Sequence, residues 1–208
     1  MKLYYSPVAC SLAPHIALEE AGLAYDLVKV DLRTHELANG TDYYTINPNG
    51  YVPVLELDDG ARLTEAAVIL QYIADRRPGT LAPAYSTMER YRVNEWLNFI
   101  ATEIHKQFEP LWHAETPAAS QATQRATLAK RYATIEKTLA KQPYLTGDAF
   151  TIADAYLFTV TRWSGPLKVD LTPFPALRQF QARVAARPKV RAALKAQHLI
   201  KEPAPAAA

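Results

Sequence analysis

Cys10 is the residue whose type and position most favour chemistry. It follows a predicted strand and a short Ser-Pro-Val-Ala loop, and it opens a predicted helix over residues 10–21. Exposed N–H groups and the positive end of the helix dipole stabilise a thiolate there, so the sequence predicts a pKa below the usual value of about 8.5. The alternative is a small buried hydrophobic residue, as free cysteine commonly is. Ser11 is either a donor to the same sulfur or an ordinary first-turn serine.

The chain holds one cysteine in 208 residues, which excludes an internal disulfide and a cysteine-rich metal site. Any redox cycle at Cys10 must therefore use an external thiol. His15, His113 and His198 show no spacing typical of metal ligands, so we expect no metal.

His105 is the second candidate for proton chemistry, because an unperturbed histidine titrates near physiological pH. It lies in a long predicted helix over residues 86–114, where Asn98, Thr102 and His105 recur at i, i+4 and i+7. That spacing predicts that all three side chains lie on one side of the helix. The alternative for a single helical histidine is a satisfied or solvated residue.

The segment from Asn47 to Ala66 predicts a binding edge next to these residues. Pro53 cannot donate a ladder hydrogen bond, so Val52-Pro53 is a predicted edge or tight turn and a candidate cis peptide. We therefore expect the backbone N–H and C=O of Val52 to be free. Thr64 is the predicted cap of a helix over residues 65–76, whose exposed N–H groups attract a carboxylate.

The remaining pattern predicts two domains. Strands at 3–5 and 25–30 flank the first helix, and Asp59-Gly60 marks a hairpin over residues 54–63. These elements form a thioredoxin-like α/β layer over residues 1–78. A proline- and glycine-rich stretch then precedes an all-α domain over residues 86–202. Its helices are predicted at 86–114, 118–141, 152–163, 175–186 and 190–196, the third with a capping box from Thr151 to Asp154.

Composition narrows the partners to small molecules. The chain is 49% hydrophobic, which supports a folded core, and its net charge of +2 is spread without a block of like charge. Neither nucleic acid nor a membrane surface is expected as a partner. No apolar run approaches the roughly 20 residues that cross a bilayer. A single cysteine suits a reducing compartment, and we expect a cytoplasmic protein.

Two motifs resemble the glutathione S-transferases. The run Asn-Pro-x-Gly-x-Val-Pro-x-Leu at 47–55, followed by Asp-Gly-x-x-Leu-Thr-Glu at 59–65, resembles the glutathione-binding half of that family. The opening from Met1 to Gly22, with Cys10 where other classes use tyrosine or serine, resembles the bacterial beta class. The resemblance extends to about Glu202. It implies the glutathione transferase fold, glutathione as co-substrate and a homodimer.

The resemblance also implies roles for individual residues. Thr102-Glu103-Ile104-His105-Lys106 matches the beta-class motif Ser-Glu-x-His-Lys, whose histidine lies near the glutathione sulfur, and Cys10 takes the position of a cysteine that forms a mixed disulfide with glutathione. Glu65 and Ala66 match the pair that binds the γ-glutamyl end, His35 replaces a lysine for the glycyl carboxylate, and Asn98 matches a residue that reaches glutathione across the dimer. The implied glutathione-binding residues are Cys10, His35, Val52, Glu65, Ala66, Asn98, Thr102, Glu103, Ile104 and His105.

Three functions remain open from the sequence. The first is a detoxifying transferase that adds glutathione to a small hydrophobic electrophile, with Cys10, His105 and Ser11 at the sulfur. Phe108, Trp112 and Trp163 are then candidate walls of the electrophile pocket, although aromatic residues at helical spacing are also typical of a core. The second is a thiol transferase or reductive dehalogenase with Cys10 as covalent nucleophile. The third is a non-catalytic protein that binds hydrophobic ligands.

Overall fold

The N-terminal part of the protein is an α/β layer, seen in a computed structural model that describes residues 1–200. Five strands form one sheet in the order β3-β2-β1-β4-β5. The strands β1 and β2 are parallel, and the other neighbours pair antiparallel. The elements are β1 (Lys2–Tyr5), α1 (Leu12–Ala21), β2 (Asp26–Asp31), β3 (Glu36–Leu37), β4 (Val54–Glu56), β5 (Arg62–Leu63) and α2 (Ala66–Asp75).

The β1-α1-β2 unit is confirmed, and the sequence explains where α1 ends. Gly22 adopts a left-handed φ of 62°, and its N–H bonds the carbonyl oxygens of Leu18 and Glu19. Glycine takes this conformation without a Cβ penalty, so it closes the helix and lets the chain turn back into β2. The predicted hairpin between β4 and β5 is also confirmed, with the N–H of Leu57 bonded to the carbonyl of Ala61.

The C-terminal part is all helical among the described residues. The helix predicted over residues 86–114 is interrupted: α3 leads into a π-helical turn at Ile100–His105, and α4 follows. The other predicted helices are confirmed to within a few residues. The elements are α3 (Met88–Phe99), α4 (Lys106–Trp112), α5 (Ala118–Leu139), α6 (Ile152–Thr161), α7 (Pro175–Ala185) and α8 (Pro188–Ala196).

The helix α6 is buried along its whole length and packs against α1 and α2 of the sheet layer as well as α3 and α7. The predicted capping box at its start is confirmed. Asp154 accepts hydrogen bonds from the backbone N–H groups of Leu145 and Thr151 and from the Thr151 hydroxyl. Burial raises the pKa of the Asp154 carboxyl to about 6, while these donors oppose the rise. Asp154 therefore connects the segment at Leu145 to the start of α6, which agrees with the folding role expected of a capping box.

The predicted fold class is therefore confirmed: a thioredoxin-like α/β domain joined to an all-α domain. The boundaries 1–78 and 86–202 stay a prediction, and residues 201–202 lie outside the described range. Within residues 1–200, none of the helices has the length and apolar character needed to span a bilayer.

Two predicted helix starts are wrong. Cys10 does not open α1, because it lies in the turn before Ser11, which is the N-cap of a helix that begins at Leu12. The N-cap of α2 is Glu65 rather than Thr64, and no side chain closes that end. Both ends therefore have backbone N–H groups that no side-chain cap satisfies, close to the residues with predicted chemistry.

Candidate active site

Cys10 connects the start of α1 to the edge of the sheet. Its Sγ–H donates to the carbonyl oxygen of Val52 at 3.4 Å, and the Val52-Pro53 peptide bond is cis as predicted. The expectation that the Val52 carbonyl is free is therefore wrong. The residue before it is also held, because the carbonyl of Tyr51 accepts from the Tyr43 hydroxyl at 2.9 Å and from Asn47 Nδ2 at 2.7 Å. The binding edge is thus fixed before any ligand arrives.

The predicted low pKa of Cys10 is wrong. Burial of the thiol raises its pKa to about 12, and the nearby Glu65 carboxylate adds to the rise, while the N–H groups of Cys10 and Ser11 oppose it. Burial outweighs the helix end because an isolated thiolate loses its hydration there. Cys10 is therefore a neutral hydrogen-bond donor near pH 7 rather than a preformed thiolate.

Ser11 does not face the sulfur, and its predicted catalytic role does not hold in this geometry. Its side chain is fully buried, its hydroxyl donates to the carbonyl of Ser6 at 3.2 Å, and it accepts from the N–H of Ser6 at 3.3 Å. A hydroxyl has one proton to donate. Ser11 therefore fastens the loop between β1 and α1.

The start of α2 is the anion-binding end of the site. Glu65 is exposed and has a φ of 65°, a conformation that costs free energy for a residue with a Cβ. Its carbonyl accepts from both Val68 and Ile69, and Ala66 is buried beside it. The unpaired N–H groups of the first turn and the helix dipole together favour a carboxylate at this point.

The predicted common face of Asn98, Thr102 and His105 is wrong, and the π-helical turn is the reason. One residue more per turn rotates all later side chains by about 100° relative to an α-helix. Asn98 and Thr102 are exposed, with the Thr102 hydroxyl bonded to the Asn98 carbonyl at 3.0 Å. His105 is only partly exposed and turns toward α6 instead.

His105 is held by one of its two ring nitrogens. Nδ1 lies 2.7 Å from the hydroxyl oxygen of Tyr156 on α6. Among residues 1–200, Nε2 has no hydrogen-bond partner within the chain. Burial lowers the pKa of His105 to about 4, with the positive charge of Lys106 adding to the shift. The imidazole is therefore neutral near pH 7, and Nε2 is the atom available to a ligand.

Trp163 ties the second domain to the Cys10 loop. Its Nε1–H donates to the carbonyl oxygen of Val8 at 2.7 Å. Val8 has a φ of 71°, which is strongly unfavourable for a β-branched residue, and it is exposed. The Trp163 ring also packs edge-on against His105, with ring centroids 4.9 Å apart. The position of the loop and the position of the histidine are thus coupled through one indole.

The predicted electrophile pocket is only partly supported. Trp112 is 46% exposed and can contact a ligand, whereas Trp163, which lies edge-on to it, is only 5% exposed and supports that ring. Phe108 is fully buried behind Trp163, which makes it a support for that ring instead of a wall.

The remaining candidates take different positions. Glu103 forms an ion pair with Arg131 at 2.6 Å, and the Ile104 side chain is fully buried in the core, so contact of that side chain with glutathione is excluded. His35 has a φ of 56° and stacks on Tyr44 with ring centroids 4.6 Å apart. Both rings pack against Gly50, where a Cβ would lie 2.8 Å from Tyr44, so glycine is required there.

Tyr156, which bonds His105, is the residue of the candidate site that sequence reasoning missed. It lies on a helix with no exposed residue, and a buried phenol normally finds a hydrogen-bond partner. That rule could have singled out Tyr156, although the partner could not be named from spacing. Within residues 1–200 no group of three or more His, Cys, Asp or Glu side chains is arranged to hold a metal ion.

Comparison with known proteins gives the class. Residues 9–76 match the family model for the glutathione S-transferase N-terminal domain, and residues 99–188 match the model for the C-terminal domain. The chain is 48% identical to "Glutathione S-transferase GstA" of Escherichia coli O157:H7, over 96% of this chain and 100% of that protein. The chain therefore belongs to the glutathione S-transferase family, and it is a transferase enzyme.

Two solved structures of glutathione S-transferases are similar to this chain over nearly its whole length. A sphingomonad glutathione S-transferase complexed with glutathione matches with a TM-score of 0.92 and 43% identity, over 96% of this chain and 100% of the other. The bacterial beta-class glutathione S-transferase of Sphingomonas chungbukensis matches with the same values. Glutathione is the co-substrate of this family.

Proposed function

We propose that this protein is a bacterial beta-class transferase that conjugates glutathione to small hydrophobic electrophiles, a detoxifying reaction. The observation that carries this proposal is the Cys10 thiol bonded to the Val52 carbonyl, with Glu65 near it and with Tyr156 holding His105 by one ring nitrogen and leaving the other unpartnered. The neutral imidazole donates from its unpartnered nitrogen, and the Cys10 thiol donates to the ligand sulfur when its one proton turns from the Val52 carbonyl to that sulfur. Such donors stabilise a thiolate that belongs to the ligand.

Glutathione fits along the binding edge in one direction. Its peptide backbone pairs with Val52, its γ-glutamyl carboxylate meets the N–H groups at the start of α2 near Ala66, and its ammonium meets Glu65. The glycyl carboxylate then lies toward His35, whose ring is held in place by Tyr44. This placement brings the sulfur next to Cys10.

The reaction needs no covalent intermediate on the protein. The glutathione thiol loses its proton to solvent, and its thiolate is stabilised by the donors around it. The sulfur then forms a bond to the electrophilic carbon, and the leaving group departs with the bonding electron pair. The exposed ring of Trp112, supported by Trp163, provides the apolar surface for the electrophile. The protein contributes proximity and electrostatic stabilisation.

A homodimer in the cytoplasm completes the proposal. Asn98 and Thr102 are exposed on α3 and the π-helical turn, away from His105. A second copy that covers this face would bring Asn98 toward the partner's glutathione, as in the beta class. Glu103, held by Arg131, then lies at the edge of the same face.

The second candidate function is a thiol transferase or reductive dehalogenase with Cys10 as nucleophile. It requires a Cys10 thiolate, which the raised pKa disfavours near pH 7. A binding protein without turnover is the third.

The test is the rate of conjugation of glutathione with chlorodinitrobenzene, for wild type, Cys10→Ala and Cys10→Ser, from about pH 5.5 to about pH 8. We expect Cys10→Ala to keep at least about a tenth of the wild-type rate, since one hydrogen bond is lost. Cys10→Ser keeps a donor and should fall closer to wild type. A folded but inactive Cys10→Ala protein would favour covalent chemistry. Absence of turnover in wild type would favour the binding protein.

A further inference from the structure

The hydrogen bond between His105 and Tyr156 has a direction that burial determines. Tyr156 is 2% exposed, and within residues 1–200 its hydroxyl has one hydrogen-bond partner, Nδ1 of His105 at 2.7 Å. If the phenol accepted a proton from Nδ1–H, its own O–H would be buried with no acceptor, which is costly. The phenol therefore donates, and Nδ1 is the acceptor.

Burial keeps both groups of the pair neutral, and the nearby charges act as smaller influences. Burial raises the pKa of the Tyr156 phenol, and the nearby Cys10 and Glu65 raise it further, so the phenol retains its proton. Lys106 and Glu109 are the charged groups that act on His105, with opposite signs, and they are paired to each other at 2.6 Å. A neutral imidazole whose Nδ1 accepts a bond must carry its proton on Nε2.

We propose that Tyr156 is a positioning residue that fixes the Nε2–H tautomer of His105, so that this N–H is donated to the glutathione sulfur. This inference rests on the proposed function, and it goes further by assigning the atom that donates and the residue that sets it. The thiol proton of glutathione goes to solvent, and the resulting thiolate accepts Nε2–H. The opposite tautomer would direct a lone pair at the thiolate and repel it.

The π-helical turn is what makes this pairing possible. In an uninterrupted α-helix, His105 would share a face with Asn98, which is exposed. The added residue rotates the imidazole by about 100° toward Tyr156. Trp163 then holds the ring from another side, with its indole bonded to the Cys10 loop.

The test replaces Tyr156 by Phe, which removes one oxygen atom and keeps the ring. The matched control is Tyr25→Phe, because Tyr25 also bonds a histidine, His15, at 2.8 Å, but at the α1–α8 contact and outside the site. Both variants are compared with wild type in kcat/KM for chlorodinitrobenzene as a function of pH. The tautomer of His105 is read by 15N NMR, with the signal assigned by its loss in His105→Gln.

We expect Tyr156→Phe to lower kcat/KM at neutral pH by roughly 3- to 10-fold, the usual effect of one hydrogen bond. The apparent pKa of the bound thiol should rise by about half a unit to one unit. Wild type should show His105 with Nε2–H alone, and the variant should show a mixture of tautomers. Tyr25→Phe should leave the pH profile unchanged.

Two results would overturn the inference: an Nδ1–H tautomer in wild type, or a pH profile of Tyr156→Phe that overlays on wild type. A loss of thermal stability without a profile shift would reduce Tyr156 to a packing residue. Failure of the proposed function looks different, because wild type itself would then show no conjugation above the uncatalysed rate. The NMR measurement is valid in either case, since it needs no turnover.

Discussion

Two histidine–tyrosine pairs lie at different points where α1 and α6 bring the domains together, and they differ in how many ring nitrogens the protein occupies. His15 on α1 has Nε2 at 2.8 Å from the Tyr25 hydroxyl and Nδ1 at 2.9 Å from Gln197 Nε2, and it is fully buried. His105 has one nitrogen bonded to Tyr156 and is partly exposed. A histidine with both nitrogens bonded is part of the fold, whereas one with a free nitrogen can act on a ligand.

The hydrogen bond between histidine and tyrosine runs in opposite directions in the two pairs. The Tyr25 hydroxyl donates to Glu19 at 2.6 Å, so it must accept from Nε2–H of His15. Gln197 then donates to Nδ1. In the other pair the tyrosine donates to the histidine. A histidine and a tyrosine therefore form a closed network at His15, where both ring nitrogens are bonded, and an open one at His105, where one nitrogen is free. The two pairs differ because only the Tyr25 phenol has a carboxylate to which it can donate.

The region around His15 is further stabilised by a paired charge. Arg187 donates two hydrogen bonds to Glu20, at 2.6 and 2.8 Å, and its guanidinium lies 4.2 Å from the ring centroid of Phe150. An arginine–carboxylate pair with this two-bond geometry holds α1 against the start of α8. No comparable ion pair bridges Cys10 or His105 within residues 1–200. Among residues 1–200, the Arg187–Glu20 pair thus stabilises the region around His15 and not the region around Cys10 and His105.

The largest expected effect is on stability, from His15→Leu. The substitution keeps the volume but leaves the Gln197 amide without its buried partner, so we expect the free energy of unfolding to fall by about 2–4 kcal/mol. The matched variant His105→Leu loses one internal bond and should cost about 1–2 kcal/mol, with the loss of conjugation as its main effect. Urea unfolding at one protein concentration measures both. Equal losses would mean that the two histidines do not differ in structural role.

The sequence predicted the elements better than the site they form. Gly22, the Asp59-Gly60 turn and the Thr151–Asp154 capping box are local signals, and local signals determine where strands and helices end. Cys10 and His105 were identified by type, position and the resemblance to a family. The pKa of Cys10 was predicted in the wrong direction, because burial depends on chain segments distant in sequence. The rotation of His105 was missed because a π-helical turn leaves no pattern in residue types, and Tyr156 was missed with it.

The second expected effect is a pH dependence of the difference in unfolding free energy between wild type and His15→Leu. Burial lowers the pKa of His15 from 6.5 to about 4, so between these values the unfolded chain binds a proton that the folded chain does not. The stabilisation that neutral His15 provides is therefore complete above about pH 6.5, falls as the pH decreases and is lost below about pH 4. The leucine of the variant does not titrate, and the shared titration of His105 cancels in the comparison.

We accordingly expect the stability gap between wild type and His15→Leu to narrow by about 2 kcal/mol from pH 7 to pH 5. Urea unfolding at pH 7, 6 and 5 gives the gap at each pH. A gap that stays constant would show that His15 keeps its ordinary pKa in the folded protein, and the closed network would then not exclude its protonated form.

The smallest expected effect is on the rate of conjugation, from Trp163→Phe beside His105. The variant keeps an aromatic ring beside His105 but loses the Nε1–H that bonds the Val8 carbonyl at 2.7 Å. Without that bond Val8 can relax from its φ of 71°, and the loop that carries Cys10 moves with it. We expect kcat/KM for conjugation to fall about 10-fold, because displacement of a site by a fraction of an ångström weakens donors aimed at the sulfur.

The control for this variant is Trp96→Phe, on α3, where the indole packs edge-on against Phe99 with centroids 5.6 Å apart. Both variants lose an indole N–H, and the free energy of unfolding of each should lie within about 1.5 kcal/mol of the wild-type value. Steady-state kinetics should separate them, since only Trp163 bonds the loop that holds Cys10. If Trp96→Phe lowers kcat/KM as much as Trp163→Phe does, general loosening of the helical domain explains both losses. The Val8 bond would then have no specific part in positioning the sulfur.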